Sequence, residues 1–232
     1  MLAHRVMMGV ASGDPYWGNV VALLHFDGAD ASTTFTDVKG HTFTAVGNAQ
    51  IDTAESLFGG ASGLFDGSGD YLSAPDSADW DFGTGDFTVE LAIRFASLPV
   101  NAVMTVVSTY VDSTSGLSIQ YRTDGGAGNR LTFGFGDTPN NFAWSPSINT
   151  WYRVAVSRSG TSLRAFIDGT QIGSTITNSS NLTNTAALWI GAIDFGGPIQ
   201  NFNGWLDELR ITKGVARHTS NYTVDAAAFP DS

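Results

Sequence analysis

Apolar residues return at every second position in run after run of this chain, and that period restricts what it can fold into. The cleanest case is Phe87 to Phe95, where Phe87, Val89, Leu91, Ile93 and Phe95 alternate with Thr88, Glu90, Ala92 and Arg94. A strand throws successive side chains to opposite faces, so one face of this segment is core and the other is solvent or a groove. Shorter runs of the same kind lie at Val20–Phe26, His41–Val46, Gly63–Phe65, Tyr71–Ala74, Thr105–Tyr110 and Leu117–Tyr121. Five more follow at Leu131–Phe135, Trp151–Ser157, Leu163–Ile167, Leu188–Ala192 and Leu206–Ile211. No amphipathic helical period competes with them, so the expectation is an all-β sandwich or barrel. Asp168-Gly169, between LRAFI and TQIG, predicts a two-residue hairpin whose turn needs positive φ at both positions.

Composition narrows the reading. The 232 residues suit one β-sandwich domain, long enough to bury a core without a staple. The chain has no cysteine, which excludes disulfides, thiolate zinc sites, iron-sulfur clusters and a cysteine nucleophile. Its net charge is −11, with two lysines and singly scattered arginines, so a nucleic-acid surface built on clustered cations is excluded. No stretch reaches the length of a membrane-spanning helix, so no membrane insertion is expected. The apolar run near the start, Val6 to Ala11, is too short for a signal-peptide core, which predicts synthesis in the cytoplasm without a signal peptide.

Residues 1–18 lack alternation and read as an arm before a domain at 19–232. Met7, Met8, Tyr16 and Trp17 give that arm apolar surface to bury. Two readings stand: an N-terminus tucked along its own sandwich, or a docking peptide for a partner.

Several segments together carry a family resemblance. FGGASGLFDGSGDYL, the GDFTVE strand, TWYRVAVSRSG answered by the FIDG hairpin, and FNGWLDELRI follow VVALLHFDG in that order. Over about residues 19 to 229 the chain resembles the laminin G-like, concanavalin A-like jelly roll. In this form, with a short arm before VVALLHFDG, it resembles domains found in tailed-bacteriophage virion proteins. The resemblance implies two curved antiparallel sheets of six or seven strands and loop rims where relatives hold glycans or calcium. It implies a virion structural or surface protein, either a capsid decoration protein or a tail-fibre adhesin, on the virion exterior. Other coat or tail proteins, a host cell-surface glycan and further copies of the chain are then its expected partners. A glycan-active enzyme (glycoside hydrolase or lyase) and a bacterial surface lectin are the alternatives.

Some relatives are hydrolases with alternating carboxylates in an ExDxxE strand, and such chemistry needs two carboxylates flanking the sugar bond. This chain has three glutamates, Glu55, Glu90 and Glu208, none in such a motif. Asp207 and Glu208 are adjacent and would face opposite ways on a regular strand. The four histidines never approach metalloprotease spacing, and no GxSxG elbow precedes a helix. No catalytic residue is therefore expected.

No cofactor is required, although calcium stays open because a hard cation wants carboxylate and carbonyl oxygens. In a jelly roll of this kind the opening and closing strands can lie together, bringing Asp27 and Asp207 to one metal, or to a metal-free hydrogen-bonded site. For glycan, aromatic platforms beside amides and carboxylates are the useful pattern. Trp144 with Asn140 and Asn141, and Phe195 with Asp194, are the expected residues. The sequons at Asn178, Asn181 and Asn221 carry no inference in so Asn- and Thr-rich a chain.

Overall fold

A nine-residue strand with five apolar residues on one face demands a sheet on either side of it and a second sheet beneath it. The computed structural model describes residues 13–110, 116–134 and 140–232 and supplies both. Among the described residues there are eighteen strands. The first nine are β1 (Val20–Leu24), β2 (Thr34–Thr36), β3 (Thr42–Val46), β4 (Gln50–Asp52), β5 (Ser62–Asp66), β6 (Tyr71–Ala74), β7 (Phe87–Phe95), β8 (Val103–Ser108) and β9 (Ser118–Arg122). The rest are β10 (Arg130–Phe133), β11 (Asn140–Ala143), β12 (Trp151–Ser159), β13 (Ser162–Ile167), β14 (Thr170–Thr177), β15 (Leu188–Ile190), β16 (Ile193–Asp194), β17 (Pro198–Ile199) and β18 (Asn203–Lys213).

The first sheet runs β14-β13-β12-β7-β18-β5-β4, with β1 also paired to β18, and the second runs β11-β10-β9-β8-β15-β6-β3-β2. Each has eight strands, more than the six or seven expected, because short edge strands such as β2 and β4 extend both sheets. All pairings are antiparallel, as a jelly-roll sandwich requires.

Between the sheets the alternation is satisfied residue by residue. Phe87, Val89, Leu91, Ile93 and Phe95 enter the core from β7 and meet Val106, Ile119, Tyr121 and Phe133 from the second sheet. Phe87 stacks on Phe133 at 5.4 Å and Phe95 tilts against Tyr121 at 5.2 Å, so aromatic rings tie the layers together. Each such ring contributes about 1.5–3 kcal/mol by leaving water. Asp168 and Gly169 take φ of 49° and 77°, forming the predicted hairpin between β13 and β14.

β18 changes neighbour halfway along. Residues 203–206 pair with β5, while 209–212 pair with β1. At the changeover the register against β7 slips between Asp207 and Arg210, and Glu208 adopts φ of +52°. This bulge adds one residue to β18, and the alternation shifts with it. Leu206 and Leu209 remain in the core, so the two acidic residues between them share the opposite face. The regular-strand expectation that Asp207 and Glu208 point apart is thereby corrected.

Candidate functional site

The face of the first sheet turned away from the second carries a cavity of about 620 Å³. Small-molecule sites typically enclose about 300–1,000 Å³. Its floor is the middle of the sheet, at Ala92 of β7, where the small side chain leaves space. One wall is the loop holding Leu57 and Phe58, and the other is segment 222–230, which lies across the sheet after β18. That segment is tied down along its length. Tyr222 N donates to Gly169 O, Phe229 N donates to Glu208 Oε2 at 2.6 Å, and Asp14 N donates to Ser232 O.

Charged groups in the walls are paired. Glu90 Oε2 accepts from Arg210 Nε and Nη2 at 3.0 and 2.9 Å, and Glu90 Oε1 lies 2.6 Å from His218 Nε2. Burial alone would raise the Glu90 pKa; the His218 hydrogen bond and the Arg210, His218 and Arg217 charges outweigh it and hold the carboxyl below its usual range. Asp14 is in the same position: burial is outweighed by hydrogen bonds from Arg217 and Tyr16 N and by the charges of Arg217 and Arg210. His218 stacks on Tyr222 at 3.5 Å, and burial pushes the Tyr222 hydroxyl up, so it stays a neutral phenol.

Below these pairs lies an acidic corner. His25 Nδ1 is 2.6 Å from Glu208 Oε1 and its Nε2 is 2.8 Å from Asp231 Oδ1. The Glu208 hydrogen bond, opposed by burial and aided by Asp231, lifts the imidazole to about 9, so it is a cation at neutral pH and donates from both nitrogens. Asp207 is fully buried, and its Oδ2 accepts from Leu57 N at 2.8 Å and Phe58 N at 3.1 Å. Its Oδ1 has no hydrogen-bond partner among the described residues. Burial lifts this carboxyl to about 7 against those two amides, and the charges of Glu208 and Asp27 push the same way. Asp27 is raised too, chiefly by burial. Its carboxylate sits where a Cβ on Gly59 would stand, and Gly59 has φ of +63°.

Asp27 lies close enough to Asp207 for its charge to raise that carboxyl. Among the described residues, however, no group of three or more His, Asp or Glu is arranged to hold a metal. The orphaned Asp207 Oδ1 is the feature that a cation would satisfy; further oxygens would have to come from backbone carbonyls or water.

The expected glycan residues fall elsewhere and into two groups. Trp144, half-buried, packs against Phe95, Tyr121 and Tyr152 at 5.4–5.8 Å, so part of its ring extends the core. Asn141 Oδ1 accepts from Thr132 Oγ1 and Asn140 Nδ2 donates to Phe133 O, so both amides bind their own sheet. Asp194 Oδ1 accepts from Gly197 N within the β16–β17 turn. Phe195, 63% exposed, leans on Tyr110 and keeps an open ring.

Tyr16 and Trp17 are engaged at home: Arg217 lies over the Tyr16 ring at 5.3 Å and Lys39 over Trp17 at 4.1 Å. For residues 13–18 this is the tucked arrangement, and Asp14 within them forms part of the cavity wall. Met7 and Met8 lie outside the described residues. Sequence reasoning missed Asp14, Arg217, His218 and the loop at Leu57 and Phe58. The one signal available was Glu90, a carboxylate on the non-core face of a strongly alternating strand.

Known proteins share this architecture. A family model described as the concanavalin A-like lectin/glucanases superfamily matches residues 66–219. No curated protein matches the sequence. Among solved structures, domain 4 of AbnA, a GH43 extracellular arabinanase from Geobacillus stearothermophilus in complex with arabinotriose, superposes with TM-score 0.64 at 19% identity, covering 85% of this chain and 94% of that one. Botulinum neurotoxin type C, which depends upon interaction with two ganglioside molecules to enter cells, gives 0.62 at 18%, covering 86% of this chain and 49% of the other. Trypanosoma rangeli sialidase gives 0.60 at 15%, with coverage of 90% and 31%. This chain therefore spans about half of the neurotoxin chain and a third of the sialidase. At such identities the likeness is one of fold.

Proposed function

The chain belongs to the concanavalin A-like lectin/glucanases superfamily, and from that premise we propose that it is a noncatalytic jelly roll that binds glycan in the cavity over Ala92. The observation that carries this reading is a preformed, partly aromatic cavity in which the buried carboxylates Asp14, Glu90 and Glu208 are already paired. Both oxygens of Glu90 and both of Glu208 are engaged, by Arg210 and His218 in one case and by His25 and Phe229 N in the other. A glycosidase needs one carboxylate free to attack or to activate water and another free to donate a proton. Groups held in this way orient a ligand and do not trade protons with it.

The neighbours support the same reading, since one was solved with arabinotriose and another interacts with gangliosides. We place the domain on the exterior of a tailed-bacteriophage virion, as a decoration protein or tail adhesin, on the strength of the segment order from VVALLHFDG to GWLDELRI. Asp27 and Asp207 are the residues that would hold a structural calcium, and Phe195 with Asp194 would form a secondary contact.

The test is a panel of bacterial surface polysaccharides and oligosaccharides screened against the purified chain, with calcium and with chelator. Saturable binding lost in Phe58→Ala and kept in Phe195→Ala supports the cavity; the reverse pattern moves the site to the β16–β17 hairpin. Release of reducing ends from arabinan or a β-glucan overturns the noncatalytic reading. Absence of the chain from purified particles, judged by mass spectrometry, overturns the virion placement.

A further inference from the structure

Resting on the glycan-binding reading above, we propose that the cavity selects an acidic saccharide and that the guanidinium of Arg153 receives its carboxylate. Inside the cavity the other buried or half-buried charges have partners: Glu90 with Arg210 and His218, Asp14 with Arg210 and Arg217, Glu208 with His25. Asp225 stands exposed at the rim. Arg153 is different. Its backbone N donates to Asp168 Oδ1 at 2.9 Å, but its half-buried guanidinium has no ion pair and no hydrogen-bond acceptor among the described residues. It lies over the Phe58 ring, 5.1 Å from the centroid, on the cavity wall.

A guanidinium offers five N–H donors in a planar fork, and a carboxylate is the shape that takes two of them at once. Its seat over the Phe58 ring restrains the guanidinium before a ligand arrives, which lowers the cost of ordering it. The ring edge of Phe58 and the methyl of Ala92 offer apolar surface for the CH face of a sugar. Charge matching decides among anions. Asp14, Glu90 and Glu208 are already paired with Arg210, Arg217, His218 and His25, which leaves Arg153 as one open cation, matched by the single charge of a carboxylate better than by a polyanion. About 620 Å³ accommodates a short oligosaccharide segment, so a uronate or a sialate within a glycan is the class that fits.

The experiment uses the full chain and an array in which uronate-containing and sialate-containing oligosaccharides are each paired with their methyl esters, with affinities of the hits measured by calorimetry. The expected result is a preference for the free acid of about tenfold or more, weakened by salt, as a charge-assisted pair requires. The uronate and sialate arms identify which acid is held. Arg153→Gln is expected to erase the preference, so that free acid and methyl ester bind alike, and Arg153→Lys to restore only part of it. Because Arg153 is half-buried at the surface of the sheet, both variants are checked for an unchanged melting curve. Equal binding of acid and ester, or an acid preference that survives Arg153→Gln, overturns this inference while the glycan-binding reading stands. Failure to bind any saccharide overturns both.

Discussion

Replacing Asp207 by Asn tests the acidic corner most directly, because the side chain is fully buried with one oxygen bonded twice and the other not at all. The carboxyl titrates at about 7 in the folded chain, against an ordinary 3.8. A raised acid pKa means that the folded state holds the proton more tightly than the unfolded state. The stability linked to that proton is present in full below pH 3.8 and is lost as pH climbs through about 7. Between pH 5 and pH 8.5 the parent should therefore lose about 3 kcal/mol that Asp207→Asn does not. Asn keeps an acceptor for Leu57 N and Phe58 N, and its amide donors replace the orphaned oxygen at a cost of about 1–3 kcal/mol if they too find no partner. The variant is thus expected to be the less stable protein at pH 5 and to match or overtake the parent at pH 8.5 in chelator. Calcium supplies a second axis. A bound cation would neutralise the Asp27 and Asp207 pair, and at a hundredfold excess over its dissociation constant it would return about 2.7 kcal/mol to the parent alone. Urea unfolding at the two pH values, with calcium and with chelator, reads all four conditions. Parallel pH profiles for parent and variant in chelator would refute the buried-charge reasoning; a calcium response of equal size in both would refute the metal assignment.

Three other expectations concern the segment that closes the cavity and the end of β12. His25, lifted to about 9, contributes stability that is complete below pH 6.5 and lost as pH rises through about 9. His25→Gln should cost about 1–3 kcal/mol at pH 7 and converge with the parent above pH 10, with faster amide exchange at Phe229, whose N–H is bonded to Glu208. Gly169→Ala should destabilise by at least about 1–2 kcal/mol, since φ is +77° and the added Cβ would strike Tyr222 O; earlier proteolytic cleavage within 214–232 is the readout. Arg158 is fully buried and donates to Gly83 O, Gly85 O, Ser180 O and Asn178 Oδ1 while lying over Phe87. A lysine cannot reproduce that fork, so Arg158→Lys should lower stability by about 2–4 kcal/mol in urea melts, and an unchanged midpoint would refute the assignment.

What the sequence shows and what it hides differ by range. Each of the twelve alternating runs holds a strand, because alternation is a local property that burial of one face enforces. The Asp168-Gly169 turn is equally local. The short strands β2, β4, β16 and β17 carry two or three residues each, too few for a period to register. The cavity is hidden for a different reason: its partners meet across the chain. Glu90 and His218 are 128 positions apart, and Asp14 and Arg217 are 203 apart. No spacing rule connects them, because their meeting depends on segment 214–232 folding back over the sheet. Trp144 likewise depends on distant partners. It sits beside amides, as a sugar platform would, yet the gap between Phe95, Tyr121 and Tyr152 takes part of its ring.

The bulge at Glu208 links these two levels. A regular strand would send one of Asp207 and Glu208 into the core, where an unpaired carboxylate costs several kcal/mol. The extra residue keeps Leu206 and Leu209 inside and turns both acids to the outer face. There the two acids divide the work. Asp207 caps the amides of the loop carrying Phe58, and Glu208 anchors Phe229 N and His25. Those two loops are the two walls of the cavity. One local break in the alternation therefore positions both sides of the site, and between them lies the guanidinium of Arg153, half-buried and without an ion pair among the described residues. A cavity whose buried acids, Asp14, Glu90 and Glu208, are paired as scaffold and whose open cation faces inward fits the glycan-recognition reading proposed for it.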